Sequence, residues 1–143
     1  MRIAAALLMT SLAAAPPDPR VLIVQAPDSP VRLDHAKILN AGDQPLVLLY
    51  AATNLTGGGL DQFTVMVFVF REGGLKARQV APGRRELDAN GTKFSTMVLD
   101  GFQIEPTDTL VVGVNQAQRV GSEQWWQAEL QGAAEEAVKR QTR

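Results

Sequence analysis

The 143-residue chain contains no cysteine. It can therefore form no disulfide, carry no thiol nucleophile, hold no metal through sulfur and accept no lipid on a cysteine. It has a single histidine, His35, which leaves no two-histidine metal site. As a general base His35 would need an orienting carboxylate, and Asp34 beside it points to the other face of a strand. Serine is also scarce. Beyond residue 15 only Ser29, Ser95 and Ser122 occur, and none sits in a Gly-x-Ser-x-Gly or Ser-x-x-Lys setting. Neither sign of charge dominates: 14 Lys+Arg face 15 Asp+Glu, a net −1. This gives no reason to expect nucleic acid or an anionic membrane as partner. Beyond the first residues no apolar run is long enough to cross a bilayer, since residues 46–55 and 63–70 are of strand length. Carboxylates are numerous but scattered, with no pair marked out for acid/base work. These shortages point to a non-catalytic protein that needs no cofactor.

What is present begins with a leader. Met1-Arg2 is a short positive start, Ile3 to Leu12 is apolar apart from Thr10 and Ser11, and Ala13-Ala14-Ala15 offers the small residues a signal peptidase accepts. The expectation is cleavage after Ala15 and a periplasmic or secreted protein. Loss of Arg2 makes the mature chain one unit more negative. An exported chain without cysteine must rest on packing alone, which fits a bacterial envelope protein better than a small disulfide-rich one. In that setting the sequons Asn54-Leu55-Thr56 and Asn90-Gly91-Thr92 carry no meaning.

Residues 16–29 read as a proline-rich lead-in, with a first edge strand at Val21 to Val24. A strand-like alternation follows from Val31, placing Val31, Leu33, His35, Lys37 and Leu39 on one face. Leu46 to Leu55 and Phe63 to Phe70 are too continuously apolar for one-sided surface strands and read as central strands. Glu72-Gly73-Gly74 is a tight hairpin turn leading to a more exposed strand, Leu75 to Val80. Asp88-Ala89-Asn90-Gly91 is another turn. It resembles the opening of a calcium loop, but position twelve is Leu99 rather than a carboxylate. Strands at Thr92 to Leu99, Leu110 to Val120 and Gln124 to Leu130 complete the pattern. Glu135 and Glu136, four residues before Lys139 and Arg140, mark residues 132–143 as a short helix or tail. Many short strands without an intervening helix predict an all-β, immunoglobulin-like antiparallel sandwich of seven to nine strands over residues 30–131, with a barrel as the rival architecture.

Certain turns carry a family likeness. Thr53-Asn54-Leu55-Thr56 precedes a long hydrophobic strand that closes at Phe70-Arg71-Glu72-Gly73. Pro82-Gly83, a Val-rich strand at Val111 to Val114 and a tryptophan opening the final strand follow. Over roughly residues 30 to 130 this resembles the immunoglobulin-like sandwiches of bacterial exported proteins, including FxLYD-type domains. The resemblance implies a binding or structural role and brings no catalytic residue with it.

Two sets of residues are candidates for contact. On a strand, Trp125 and Trp126 face opposite sides. Phase with Ala128 and Leu130 sends Trp126 into the core and leaves Trp125 exposed beside Gln127. There it could stack on a sugar or anchor a protein, or else cover the sandwich edge. The second set is basic. Arg71, Lys76, Arg78, Arg84 and Arg85 are offset only by Glu72 within their span, and Arg78, Arg84 and Arg85 could meet an acidic partner. A solvated edge hairpin protected by its charge is the alternative. Gly57-Gly58-Gly59 lacks the lysine and following helix of a phosphate loop. The functional expectation is an envelope domain acting through protein–protein contacts, with a small carbohydrate-binding module as the alternative.

Overall fold

The computed structural model describes residues 18–40, 42 and 44–141. The leader at residues 1–15 lies outside them. The described residues form β1 (Arg20–Ile23), β2 (Val31–Leu39), β3 (Leu46–Asn54), β4 (Leu60–Arg71), β5 (Gly74–Pro82), β6 (Thr92–Leu99), β7 (Thr109–Arg119), β8 (Trp125–Gln127) and a helix, α1 (Gln131–Gln141). One sheet has the order β1-β7-β4-β5, with β8 also paired to β7, and the other has the order β2-β3-β6. This is the expected all-β sandwich with a short C-terminal helix. Its strand order is that of an immunoglobulin-like Greek key, with β2, β3 and β6 in one sheet and β4, β5, β7 and β8 in the other.

β1 departs from the expected antiparallel pattern. It pairs parallel to β7, from Arg20↔Thr109 to Ile23↔Val112. β1 must run toward the end of the sandwich where β2 begins, and this is also the direction of β7.

The two long apolar runs are central strands, as their lack of alternation demands. β4 lies between β7 and β5, and β3 between β2 and β6. Between the sheets, β3 contributes Leu48, Tyr50 and Ala52, and β4 contributes Phe63, Val65, Val67 and Val69. Leu110, Val112 and Val114 of β7 meet them. Each buried Val, Leu or Phe among them contributes about 1.5–3 kcal/mol. Glu72 and Gly73, both at positive φ, make the β4–β5 hairpin turn.

A bulge corrects the reading of β2. The register slips between Asp34 and Lys37, and His35 takes a φ of 55°. The inward set is therefore Val31, Leu33, Ala36 and Ile38, while Lys37 and Leu39 turn outward. One extra residue on one strand reverses every side chain beyond it.

α1 packs on the outer face of the larger sheet. Leu130, Ala134 and Val138 meet Phe68, Phe70 and Val111 in a second apolar cluster, which Val24 and Met66 flank. The Glu129 carboxylate accepts the Gln131 N–H at 3.0 Å, and Lys139 and Arg140 sit in the last turn, where they favour the helix dipole. Gly113 permits this packing. A Cβ there would lie 2.8 Å from Leu130 Cδ1 and 2.9 Å from the Val24 carbonyl oxygen.

Candidate functional site

The tryptophans open β8 beside the end of β7. Trp126 pairs with inward-facing Ala117 and packs against the inter-sheet core, as expected. Ala128 and Leu130 do not share its side. β8 ends at Gln127, and the chain crosses to the outer face of the larger sheet to begin α1, so Ala128 and Leu130 join the helix-covered cluster. Strand phase cannot be carried past the point where pairing stops. Trp125, expected to be exposed, is half-buried, whereas Gln127 is exposed.

Both tryptophans line a cleft of about 690 Å³ at one end of the sandwich. Its walls come from three loops. Pro27 to Pro30 belong to the β1–β2 crossing, Leu55 and Thr56 follow β3, and Ser122 and Gln124 lie between β7 and β8. Trp126 Nε1 donates to Asp28 Oδ2 at 3.1 Å, fixing the indole against the first of these loops. Arg119 at the end of β7 also lines the cleft.

The loop after β3 is built on Asn54, which is fully buried. Its Nδ2 donates to the carbonyls of Gly58 at 2.8 Å, Leu87 at 3.1 Å and Asp88 at 3.2 Å. Its Oδ1 accepts from the Thr56 N–H at 2.9 Å and the Thr56 hydroxyl at 2.7 Å. Asn54 and Thr56 are thus the keystone of this end of the molecule. The buried Nδ2 leaves no room for a glycan. The other loops are tied similarly. Leu55 N–H reaches the Pro30 carbonyl at 2.8 Å, Val120 N–H the Gly59 carbonyl at 3.1 Å, and Gln118 Nε2 the Ser122 carbonyl at 2.8 Å.

A second depression, of about 1050 Å³, lies on the three-stranded sheet and is lined by His35, Ala36, Lys37, Leu49, Tyr50, Arg84, Phe94, Ser95 and Thr96. Register places Lys37, Leu49 and Thr96 in one row, with Ala51 and Phe94 paired beside them, all outward-facing. The same face carries Leu39, Val47 and Val98. Phe94 is 70% exposed, Leu39 51% and Val98 47%. Among the described residues nothing covers them. Tyr50, opposite Ser95, is buried, and its hydroxyl has no hydrogen-bond partner among the described residues. Burial pushes this phenol above its usual range, and the Arg84 charge pulls the other way.

The basic residues do not form one patch. Arg78 faces the helix side of the larger sheet and donates to Gln131 Oε1 at 3.3 Å. Arg85 pairs with Asp61 at 3.2 Å, and Arg84 alone of the three lines the apolar depression. Arg71 forms a forked pair with buried Asp108, its Nε reaching Oδ1 at 2.8 Å and its Nη2 reaching Oδ2 at 2.9 Å. The Arg71 guanidinium holds the Asp108 carboxyl below the usual carboxylate range, against the opposing effect of burial, and the Glu105 N–H adds to the lowering. Arg71 is thus a structural residue. His35 has no carboxylate beside it in the depression. No group of three or more His, Cys, Asp or Glu able to hold a metal occurs among the described residues, and Asn90-Gly91 is a turn, with Asn90 at φ 58° and Gly91 N–H on the Asp88 carbonyl.

Compared with family models, curated proteins and solved structures, the chain matches none of them.

Proposed function

We propose that this is an exported, non-catalytic binding domain of the bacterial envelope, which docks a partner protein on the outer face of its three-stranded sheet. The observation that carries the reading is the exposure of apolar side chains on that face: Phe94 is 70%, Leu39 51% and Val98 47% exposed, with half-buried Val47 and Leu49 on the central strand. A contiguous apolar patch on a stable domain marks an interaction surface. The depression within it is lined by Lys37, Arg84 and His35 and by no carboxylate. The fitting partner therefore presents an apolar segment flanked by Asp or Glu, with complementary charge steering its approach. The leader and the likeness to FxLYD-type exported domains support the location.

The test is affinity capture from the envelope fraction with the chain from Pro16, alongside Phe94→Ser and Arg84→Glu. The expected result is one protein retained in fixed ratio by the parent chain. Phe94→Ser should lose it at all salt concentrations, and Arg84→Glu should weaken it most at low salt. Equal retention by Phe94→Ser, with its melting midpoint unchanged, removes this face as the docking site.

A further inference from the structure

We infer that the cleft at the loop end is a second, separate binding site, and that its ligand is a neutral saccharide. The sequence alone suggested sugar stacking on an exposed Trp125 with Gln127. The structure puts the chemistry elsewhere, in a walled cleft where Trp125, Trp126, Asp28, Arg119 and Gln124 converge.

Four observations lead to this ligand class. The cleft's volume of about 690 Å³ falls within the range of about 300–1,000 Å³ typical of sites for small molecules. Its aromatic wall is held in place, because Trp126 packs on the core and its N–H is fixed by Asp28. An amphipathic ring of this kind offers apolar area at low entropic cost, and the C–H face of a pyranose fits against it. The polar groups around it suit hydroxyls rather than an ion. Asp28 and Arg119 carry opposite charges, so neither a phosphate nor a cation is favoured. Asp28 Oδ1, the Arg119 guanidinium and the Gln124 side-chain amide are not taken up by other groups among the described residues, whereas Asp28 Oδ2 already serves Trp126. A carboxylate accepts from hydroxyls, a guanidinium donates to them, and an amide does both, which is what adjacent sugar hydroxyls require. Finally, the walls are pre-organised. The loop carrying Thr56 is fixed by the five hydrogen bonds of buried Asn54. A site whose loops are already ordered forfeits less entropy on binding. By strand order, the loops after β3 and after β7 correspond to two of those that form the antigen-binding end of antibody variable domains.

Trp125 and Trp126 are the only tryptophans in the chain, so tryptophan fluorescence excited beyond the tyrosine band reports on this cleft alone. The chain from Pro16 is titrated with purified cello-, malto-, xylo-, manno- and chito-hexaose, each up to ~10 mM, a range that covers affinities near 1 mM. At least one should give a saturable change in tryptophan emission. Asp28→Asn, an exposed change that keeps the volume of the side chain, should weaken that response about tenfold or more, equivalent to about 1.4 kcal/mol. Trp126→Phe should weaken it similarly, and Phe94→Ser should leave it unchanged. If no oligosaccharide in the panel gives a saturable change, or if Asp28→Asn binds as the parent does, the cleft is not a saccharide site. Neither outcome bears on docking at Phe94, which lies on a different face.

Discussion

The two sheets each have an apolar outer face, and only one of these faces lies under a helix. On the larger sheet Phe68 and Val111 lie wholly buried under α1 and Leu130. On the smaller sheet Val47, Leu49 and Ala51 of β3 face outward in the same way, yet beside them Phe94 is 70% exposed. The central strands β3 and β4 have the same kind of sequence, apolar on both sides. Such a strand needs something on each face. For β4 the chain supplies it, in the form of the helix. For β3 the outer face is covered only in part: Ala51 is buried and Val47 and Leu49 are half-buried, while Leu39, Phe94 and Val98 on the flanking strands stay exposed. The difference leaves apolar side chains of the smaller sheet open to solvent, where those of the larger sheet lie under the helix.

The largest expected effect tests the comparison directly. Phe68→Ala should cost about 3–5 kcal/mol, because it opens a cavity between β4 and α1. Phe94→Ala should change stability by less than about 0.5 kcal/mol, as at other exposed positions. Urea unfolding of both variants measures the contrast, and equal losses would mean that Phe94 is covered in the folded chain. A smaller effect concerns the helix seat. Gly113→Ala places a methyl against Leu130 and the Val24 carbonyl, and overpacking of this kind costs about 1–3 kcal/mol. Faster hydrogen exchange in residues 131–141 should accompany the loss. An unchanged midpoint would show that the helix can lift away without cost, and the two faces would then differ less than their burial suggests.

Much of this was readable in advance. The two continuous apolar runs mark central strands, and Glu72-Gly73 is a turn whose positive φ values those residues tolerate well. The place of the helix was not readable. Ala134 and Val138 define an apolar stripe, but a stripe does not name the sheet it covers. The bulge at His35 is not legible in the sequence, because it is a property of pairing with β3, and β2 taken alone alternates plausibly. The tryptophan cleft was half visible. The Trp125-Trp126 pair stands out in the sequence, but strand phase does not carry beyond Gln127, where pairing ends. Asp28 lies far away in sequence and enters only through the loop crossing. Arg78, Arg84 and Arg85 looked like one patch because they are neighbours in sequence. Strand alternation and the Pro82-Gly83 turn send them to three different surroundings.

Acid should act on the covered sheet through Asp108, with an effect smaller than the packing losses because solvent reaches Arg71. The folded carboxyl titrates below its usual value, so its contribution to stability is complete above the unfolded pKa of about 3.9. That contribution is lost as pH falls from there through the folded value. Asp108→Asn removes it at every pH. The urea midpoint of the parent should therefore drop more steeply below about pH 4 than that of the variant. Parallel curves would show that the Arg71 pair contributes nothing to the hold of β4 on the turn before β7.

The smallest change in stability should come from the uncovered face, and there its smallness is informative. Phe94→Ser removes the most exposed apolar side chain of a face that also exposes Leu39 and Val98. The folded domain should keep its melting midpoint while binding less of a hydrophobic dye such as ANS and tolerating higher concentration before associating. The same serine at Phe68 should unfold the domain. A strand side chain that can be made polar without loss of stability is held apolar by something other than the fold. For Phe94 the proposed docking of a partner protein would be such a reason. If dye binding and association are the same in parent and variant, the exposed row is not an adhesive surface, and β3 must be explained by the needs of the inter-sheet core alone.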